Sequence, residues 1–166
     1  MSQEVAIVVG VGAEQGLGAA ICRKFAAEHY HVIIAGRTQE KIDAVATTIR
    51  SSGGSAETVV TDATKEVEVI RLFDHGFSAT SDRKVPDLVV FNAGNNQRID
   101  FRDVKAELFE EFWRIGCFAG FLVGREAARR MVPHGRGSMI FTGASGSLRG
   151  KAGYARFAAA KAGLRM

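Results

Sequence analysis

Five short apolar runs, rich in Val and Ile, alternate along the chain with segments long enough to form helices. Strands that are apolar almost throughout are typical of a parallel sheet covered by helices on both faces. The pattern therefore predicts an α/β fold with a doubly wound parallel sheet, and 166 residues suffice for a single domain, 1–166, around one core. The strand segments are VAIVVG (5–10), HVIIAG (31–36), SAETVVT (55–61), PDLVVF (86–91) and GSMIFTG (137–143), and the helix segments are 16–29, 39–51, 65–80 and a pair from 103 to 131.

The junction between the first strand and the first helix is rich in glycine. The sequence VVGVGAEQGLGAA contains Gly10, Gly12, Gly16 and Gly18, with Leu17 between the last two. Glycines in a strand-turn-helix setting let the backbone approach a pyrophosphate, whose oxygens bind the free N–H groups at the start of the helix. The pattern predicts a dinucleotide site, with a purely structural turn as the alternative, and leaves open which of the first two glycines makes the turn.

The end of the second strand bears on which dinucleotide binds. Sites for NAD usually have an acidic residue there, whose carboxylate accepts hydrogen bonds from the ribose hydroxyls. Here the chain reads AGRT, with Arg37 in that place. Because a guanidinium suits the 2′-phosphate of NADP, the sequence favours NADP, with NAD as the alternative cofactor and a surface arginine as the structural alternative.

Four motifs in this order resemble the short-chain dehydrogenase/reductase (SDR) family over essentially the whole chain. They are GxxxGxG from Gly12 to Gly18, TDAT at 61–64, NAG at 92–94, and Lys161 in a helix after the fifth strand. The resemblance implies a Rossmann-like sheet of strand order 3-2-1-4-5, truncated relative to the family. It also implies an NAD(P)(H)-dependent oxidoreductase that transfers a hydride between a nicotinamide cofactor and a small carbonyl or alcohol substrate.

The same resemblance implies roles for the motif residues. Asp62 and Ala63 would lie against the adenine ring. Asn92, Ala93 and Gly94 would end the fourth strand beside the cofactor ribose. Lys161 would hydrogen-bond the nicotinamide ribose.

Three positions depart from the Asn, Ser, Tyr and Lys set that forms the active site in the family. The chain has Phe157 at the tyrosine position, Ala144 at the serine position and Gly116 at the asparagine position, so only Lys161 is in place. In the family the tyrosine exchanges a proton with the substrate oxygen, and a phenyl ring has no ionisable proton. The usual acid/base step is therefore not expected at residue 157.

Two nearby hydroxyl groups are candidates to replace the missing one, which makes Tyr154 and Ser145, together with Lys161, the predicted catalytic residues. Tyr154 precedes Phe157 by three residues and Lys161 by seven, so the three share one face if the helix already includes residue 154. A rise of 1.5 Å per residue would put Tyr154 roughly 4.5 Å further along the helix axis than residue 157. The alternatives are a loop tyrosine that packs over the site and a serine that only forms a turn.

The charge of the chain is unevenly distributed. Residues 1–119 carry 13 Lys/Arg against 17 Asp/Glu and residues 120–166 carry 9 against one, so net charges of −4 and +8 give the overall +4. Arg125, Arg129 and Arg130 on one predicted helix indicate a solvated face rather than a nucleic-acid surface, with an anionic ligand or partner as the alternative. Cys22 and Cys117 have no CxxC or Cys/His spacing, which favours buried thiols over a disulfide or a metal site.

The cellular setting and the assembly follow from the apolar segments. MSQEVAIVVG lacks the basic flank of a leader sequence, and no apolar stretch approaches the ~20 residues of a membrane span, so we expect a cytoplasmic protein without membrane contact. The fifth strand is apolar on both faces but is followed by no sixth strand, so we expect self-association or a homo-oligomer through its exposed edge.

The missing hydroxyl groups leave three functions open. The first is the oxidoreductase described above. The second is a catalytically silent dinucleotide-binding or regulatory module, and the third is a truncated domain that needs a partner.

Overall fold

The computed structural model describes residues 3–78, 83–94 and 96–166. Within these ranges, strands and helices alternate as the sequence predicts. In chain order they are β1 Val5–Val9, α1 Leu17–Ala27, β2 His31–Gly36, α2 Gln39–Ser51, β3 Ser55–Val60, α3 Glu66–Phe77, β4 Leu88–Phe91, α4 Ala106–Trp113, α5 Ala119–Met131, β5 Ser138–Phe141 and α6 Ala155–Arg165.

The five strands form one parallel sheet in the order β3-β2-β1-β4-β5, which confirms the predicted order. The central strand β1 pairs on both sides, and its Val8 lies opposite Ile34 of β2 and Val90 of β4. The chain winds outward from β1 to β3 and then returns to the other side of β1 to form β4. A crevice therefore opens between the carboxyl ends of β1 and β4, where ligands bind in sheets of this kind.

Helices cover both faces of the sheet. On one face, Ile7 of β1 belongs to a buried cluster that includes Phe73 of α3 and Leu122 of α5. On the other face, Val8 belongs to a cluster that includes Ile42 of α2. Because successive side chains of a strand point to opposite faces, the continuous apolar runs of the inner strands supply both clusters at once.

The predicted pair of helices at 103–131 is one continuous helical path. It begins at Ala106, after a short 3₁₀ turn at Phe101–Asp103, and α4 passes into α5 through a π-helical turn, Arg114–Phe118. The predicted helix at 16–29 is shorter than expected, since α1 begins after Gly16 and ends at Ala27. Helix α3 ends at Phe77, and residues 79–80 of its predicted range lie outside the described residues.

The fifth strand differs from the prediction that both of its faces are buried. Strand β5 lies at the outer edge of the sheet beside β4, and Ile140 and Phe141 are 45% and 41% exposed. The ring of Phe141 contacts that of Phe91, with 6.1 Å between their centroids. Apolar character alone therefore overstated the burial of this strand.

Of the three arginines of α5, only Arg129 is largely exposed as the sequence suggested, and Arg125 and Arg130 are mostly covered. All three pair with Glu126, which is 2% exposed: Arg125 Nε at 3.2 Å, Arg129 NH1 at 2.9 Å, and Arg130 through a further hydrogen bond. Arg130 also pairs with Asp74 of α3 at 2.5 Å. Burial would raise the pKa of Glu126, but the hydrogen bond and charge of Arg130 outweigh it, so the pKa falls. These cations join α5 to α3 and are largely neutralised.

Only one of the two cysteines is buried as expected. Cys22 is buried in α1, and burial raises the pKa of its thiol to about 12. Cys117 lies in the π-helical turn and is partly exposed rather than buried. In the described ranges no helix has the length and apolar character needed to cross a membrane, and no group of three or more His, Cys, Asp or Glu side chains is arranged to hold a metal ion.

Candidate functional site

A cavity of about 220 Å³ lies at the carboxyl ends of β1 to β4, where the winding of the sheet changes direction. It brings together predicted site residues from four separate segments of the chain. We call it the nucleotide cavity. Its lining residues are Gly10, Val11, Gly12, Gly36, Arg37, Thr38, Lys41, Thr61, Asp62, Ala63, Thr64, Ala93, Gly94, Ile115 and Ala119.

Gly10 makes the first turn of the glycine loop, which resolves the alternative left open by the sequence. Its φ is +90°, and an added Cβ would lie 2.3 Å from the backbone nitrogen of Ala93. The N–H groups of Gly10 and Val11 both donate to the carbonyl of Ala35, at 2.9 and 3.0 Å. An added Cβ at Gly12 would meet nothing within 4 Å, so Gly12 keeps the floor of the cavity open.

The loop ends at the start of α1. Gly16 caps the helix without a side-chain hydrogen bond, and the first turn of this fully described helix contains no acidic residue. The N–H groups in the first turn of α1 are therefore available to an anion. Gly18 is buried, and an added Cβ would lie 3.0 Å from the carbonyl oxygen of Gly10, so it lets the helix approach the strand. Leu17 is 60% exposed, and none of these three residues lines the cavity itself.

Two cations lie at the end of β2. Arg37 follows the strand and lines the cavity as predicted, and Lys41 of α2 lines it too. Neither side chain forms an ion pair with a described residue. Sequence reasoning missed Lys41, although its position four residues after Arg37, at the start of a helix, was a usable signal.

Asp62 is held by its own motif. Its Oδ1 accepts hydrogen bonds from the backbone N–H of Thr64 at 3.0 Å and from the Thr64 hydroxyl at 2.7 Å. Burial would raise the pKa of Asp62, but the hydrogen bonds from Thr64 outweigh it, and the pKa is lowered. The carboxylate therefore stays charged and fixes the turn that places Ala63, which is buried, in the cavity wall.

The segment after β4 has two different roles. The Asn92 side chain donates from Nδ2 to the carbonyl of Gly10 at 3.2 Å, and its backbone N–H donates to Val9 at 2.8 Å. Asn92 does not line the cavity but holds the glycine loop in place. Ala93 and Gly94 form part of the cavity wall.

Lys161 is buried in α6, where it is 5% exposed. Its Nζ donates to the backbone carbonyl of Thr142 at 2.8 Å, and an added Cβ at Gly94 would lie 3.3 Å from that Nζ. Burial lowers the pKa of the ammonium. Because an ammonium has three N–H donors, two remain for a ligand beside Gly94 after the bond to Thr142.

Ser145, Tyr154 and Phe157 meet in a second cavity of about 430 Å³, which we call the α6 cleft. Ser145 opens the 3₁₀ turn Ser145–Ser147, and an added Cβ at Gly146 in that turn would lie 3.6 Å from the ring of Phe157. Lys161 does not line this cleft. The lining residues are Asn96, Ser145, Gly146, Arg149, Gly150, Lys151, Tyr154, Phe157 and Ala158.

Tyr154 lies just before α6 and is not part of the helix. A helical face shared with Phe157 and Lys161 required that it be part of the helix. Tyr154 caps α6 with φ −122° and ψ 22°, and its carbonyl accepts the N–H of Ala158 at 2.8 Å. The helical spacing to Phe157 and Lys161 therefore does not hold for its side chain. The structure brings Tyr154 to the same cleft as Phe157 and Ser145 by the turn before the helix.

Gly116 lies in the π-helical turn, directly against α6. An added Cβ at this position would lie 2.8 Å from the Cβ of Ala160. An asparagine, which the resemblance implies for this position, would therefore not fit between the two helices as they pack here.

Arg156 is a buried cation that sequence reasoning missed. It is 2% exposed, its NH2 donates to the carbonyl of Gln97 at 3.1 Å, and its Cζ lies 3.9 Å from the centroid of the Phe112 ring. Its NH1 is buried without a hydrogen-bond partner among the described residues. An arginine one residue before the vacant tyrosine position gave no signal of burial, since most arginines are exposed.

Comparison with known proteins agrees with this geometry. The chain is 35% identical over 150 residues to the uncharacterized oxidoreductase YuxG of Bacillus subtilis, covering 89% of this chain and 21% of YuxG. It resembles the crystal structure of a short-chain dehydrogenase from Rhodopseudomonas palustris, at TM-score 0.87 and 36% identity over 98% of this chain and 74% of that one. It also resembles a metagenomic short-chain oxidoreductase in complex with NADP, at TM-score 0.88 and 27% identity over 99% and 73%.

The chain spans about half the length of most curated relatives that it matches. A family model described as short chain dehydrogenase matches residues 4–166, which is nearly all of the chain. On this match, and on a sheet order and motif placement that agree with it, the chain belongs to the short chain dehydrogenase family.

Proposed function

We propose that the chain forms the cofactor site of an NADP-dependent oxidoreductase that transfers a hydride between the nicotinamide and a carbonyl or alcohol substrate. The observation that carries this proposal is the nucleotide cavity, in which the glycine turn, the end of β4 and the cations Arg37 and Lys41 line one space. The NADP complex of the metagenomic relative supports the choice of cofactor.

The residues of the cavity fit a phosphorylated dinucleotide. The uncapped start of α1 and the open space at Gly12 suit the pyrophosphate, because free N–H groups bind its oxygens. Arg37 and Lys41 suit a 2′-phosphate, since neither forms an ion pair with a described carboxylate. The charge of Arg37 does reach Asp62, where it adds to the hydrogen bonds from Thr64 in lowering the pKa of that carboxyl. Asp62 and Ala63 would lie beside the adenine.

The bound cofactor would supply or accept the hydride, and the side chains of this chain would position the reactants and handle the proton. Lys161 would bind the nicotinamide ribose with the two N–H groups that its bond to Thr142 leaves free. Tyr154 or Ser145 would donate a proton to, or accept one from, the substrate oxygen in the α6 cleft. Phe157 would provide an apolar wall of the α6 cleft.

A catalytically silent dinucleotide-binding module is the second candidate. The specific observation in its favour is that the ring of Phe157, which the resemblance puts at the tyrosine position, lies against the turn that contains Ser145. This arrangement keeps the cofactor site and removes the usual proton donor.

Calorimetric titration with NADPH and NADH tests the cofactor site. Arg37→Ala should weaken NADPH binding by roughly ten- to a hundredfold, because charge-assisted hydrogen bonds contribute about 1.5 to 3 kcal/mol, and should leave NADH nearly unchanged. The NADH titration of the same variant is the control for folding. Equal losses for both cofactors would remove Arg37 from the site, and absence of binding by either would refute the proposal.

Turnover with a panel of carbonyl substrates separates the two candidates. An oxidoreductase should oxidise NADPH with at least one member of the panel, and Tyr154→Phe should then reduce the rate while leaving the affinity for NADPH unchanged. Tight binding of NADPH without turnover of any substrate would favour the silent module.

A further inference from the structure

The α6 cleft is positively charged. Arg149 and Lys151 line it, and no Asp or Glu is among its lining residues. Neither side chain forms an ion pair in the part of the chain that the structure describes, and Lys151 Nζ lies 5.9 Å from the centroid of the Tyr154 ring. Both charges therefore act on the contents of the cleft without an internal carboxylate to neutralise them.

Several arginines elsewhere on the molecule are paired with carboxylates, whereas the two cations of the cleft form no ion pair with a described residue. The pairs include the arginines around Glu126 described above. Others are Arg83 with Glu57, Arg102 with Asp100, and Arg136 with Asp87.

Arg156 adds a third uncompensated charge next to the cleft. It directly precedes Phe157, which lines the cleft, and it contacts the Gln97 carbonyl and the Phe112 ring rather than a described carboxylate. A charge held in a buried, low-dielectric position is screened less by water than an exposed one. Its field therefore reinforces that of the two lining cations.

The neutral groups of the cleft suit the same kind of ligand. Ser145 and Tyr154 line it, and each side chain has a hydroxyl that can donate a hydrogen bond. Donors together with cations bind groups of several anionic oxygens, such as a carboxylate or a phosphate.

We infer that the α6 cleft selects substrates that carry an anionic oxygen group, a carboxylate or a phosphate, next to the reacting carbonyl or alcohol. The inference rests on the proposed function only in treating the occupant as a substrate. The preference for an anion follows from the lining of the cleft and holds for a silent binding module as well.

Ligand-observed NMR titration of the 166-residue chain tests this with two matched pairs of probes. Gluconate and sorbitol share a six-carbon polyol skeleton and differ in the carboxylate, and glucose 6-phosphate and glucose differ in the phosphate. We expect at least one anion to bind about five- to tenfold more tightly than its neutral partner, and added salt to weaken the anion alone. Which anion is preferred distinguishes a carboxylate site from a phosphate site.

Charge-removing variants locate the preference. Arg149→Gln and Lys151→Gln should each weaken the preferred anion by about three- to fivefold and leave the neutral probe unchanged. Arg165→Gln is the matched control, because it removes the same charge from the exposed last turn of α6. An equal loss in the control variant would overturn the assignment to the cleft.

Equal binding of the charged and neutral probes, or no detectable binding of any of the four, overturns the inference. Preferential binding of an anion supports it, and if NADPH also binds but no substrate of the carbonyl panel is turned over, the inference stands and the silent module is favoured over the oxidoreductase. Turnover of neutral carbonyls without any preference for anions overturns the inference and supports the oxidoreductase.

Discussion

Replacing Glu57 with glutamine removes a carboxylate that holds three cationic or ionisable side chains together at the edge of the sheet. Glu57 lies on β3, and its Oε1 is 3.0 Å from His75 Nε2 and 3.3 Å from His31 Nε2. It also forms an ion pair with Arg83. The hydrogen bond from His31, with those from Arg83 and His75, lowers the pKa of Glu57 from its ordinary value of 4.5 to about 2.

The size of the effect follows from that pKa. At about 1.4 kcal/mol per pKa unit, the difference corresponds to about 3 kcal/mol as an upper bound. The side chain is 29% exposed, so screening by solvent reduces the expected contribution to about 1 to 2 kcal/mol. Because the folded state depresses the pKa, this stability is present above pH 4.5 and is lost as the pH falls from 4.5 towards 2.

Urea unfolding from about pH 7 down to about pH 3 measures the effect. At neutral pH, Glu57→Gln should unfold more easily than the wild type by about 1 to 2 kcal/mol, and the difference should shrink below pH 4.5. Glu28→Gln is the control, since Glu28 is exposed and its ion pair with Lys24 lies on the surface, so no measurable change is expected. A difference that stays constant over the whole pH range, or that is absent at neutral pH, would refute the reasoning.

Three further predictions concern the site and the assembly. Phe157→Tyr should raise any carbonyl reductase rate by about 10²- to 10⁴-fold with unchanged affinity for NADPH, and a flat rate would show that the site is not limited by the missing phenol. Gly10→Ala should destabilise the fold by roughly 1 to 3 kcal/mol because of its positive φ and close backbone contact, whereas Gly12→Ala should keep its melting temperature and lose NADPH affinity. Equal melting temperatures would contradict this. Ile140→Lys on the exposed edge should reduce self-association in light scattering, and a wild type that is already a monodisperse monomer would refute the predicted association.

The inner part of the fold was predictable because its apolar runs had only one consistent arrangement. Strands β1, β2 and β4 are buried throughout or nearly so, and the glycine motif placed the first turn where the structure has it. The edge position of strand β5 was expected from the strand order, but the burial of its faces was overestimated. An apolar sequence does not reveal how far other elements cover the two faces of a strand, because that cover depends on contacts between distant segments.

Some residues of the candidate site were also predictable from the sequence, and others were not. Local motifs identified Arg37, Asp62 and Lys161, because each belongs to a short pattern next to a strand end or on a helix. Lys41 and the buried Arg156 were missed, since their place in the site depends on how separate helices approach each other. The π-helical turn was also invisible, because one additional residue in a helical turn leaves the apolar spacing of three and four nearly intact.

The contact between Gly116 and Ala160 makes the departures from the family interdependent. Ala160 directly precedes Lys161, so a larger residue at 116 would displace the segment of α6 that carries the lysine. Restoring the family asparagine alone should therefore cost activity or stability, while the same change made together with Ala160→Gly should be tolerated. This is epistasis imposed by packing. The chain could acquire an asparagine at position 116 only if position 160 changed first or at the same time.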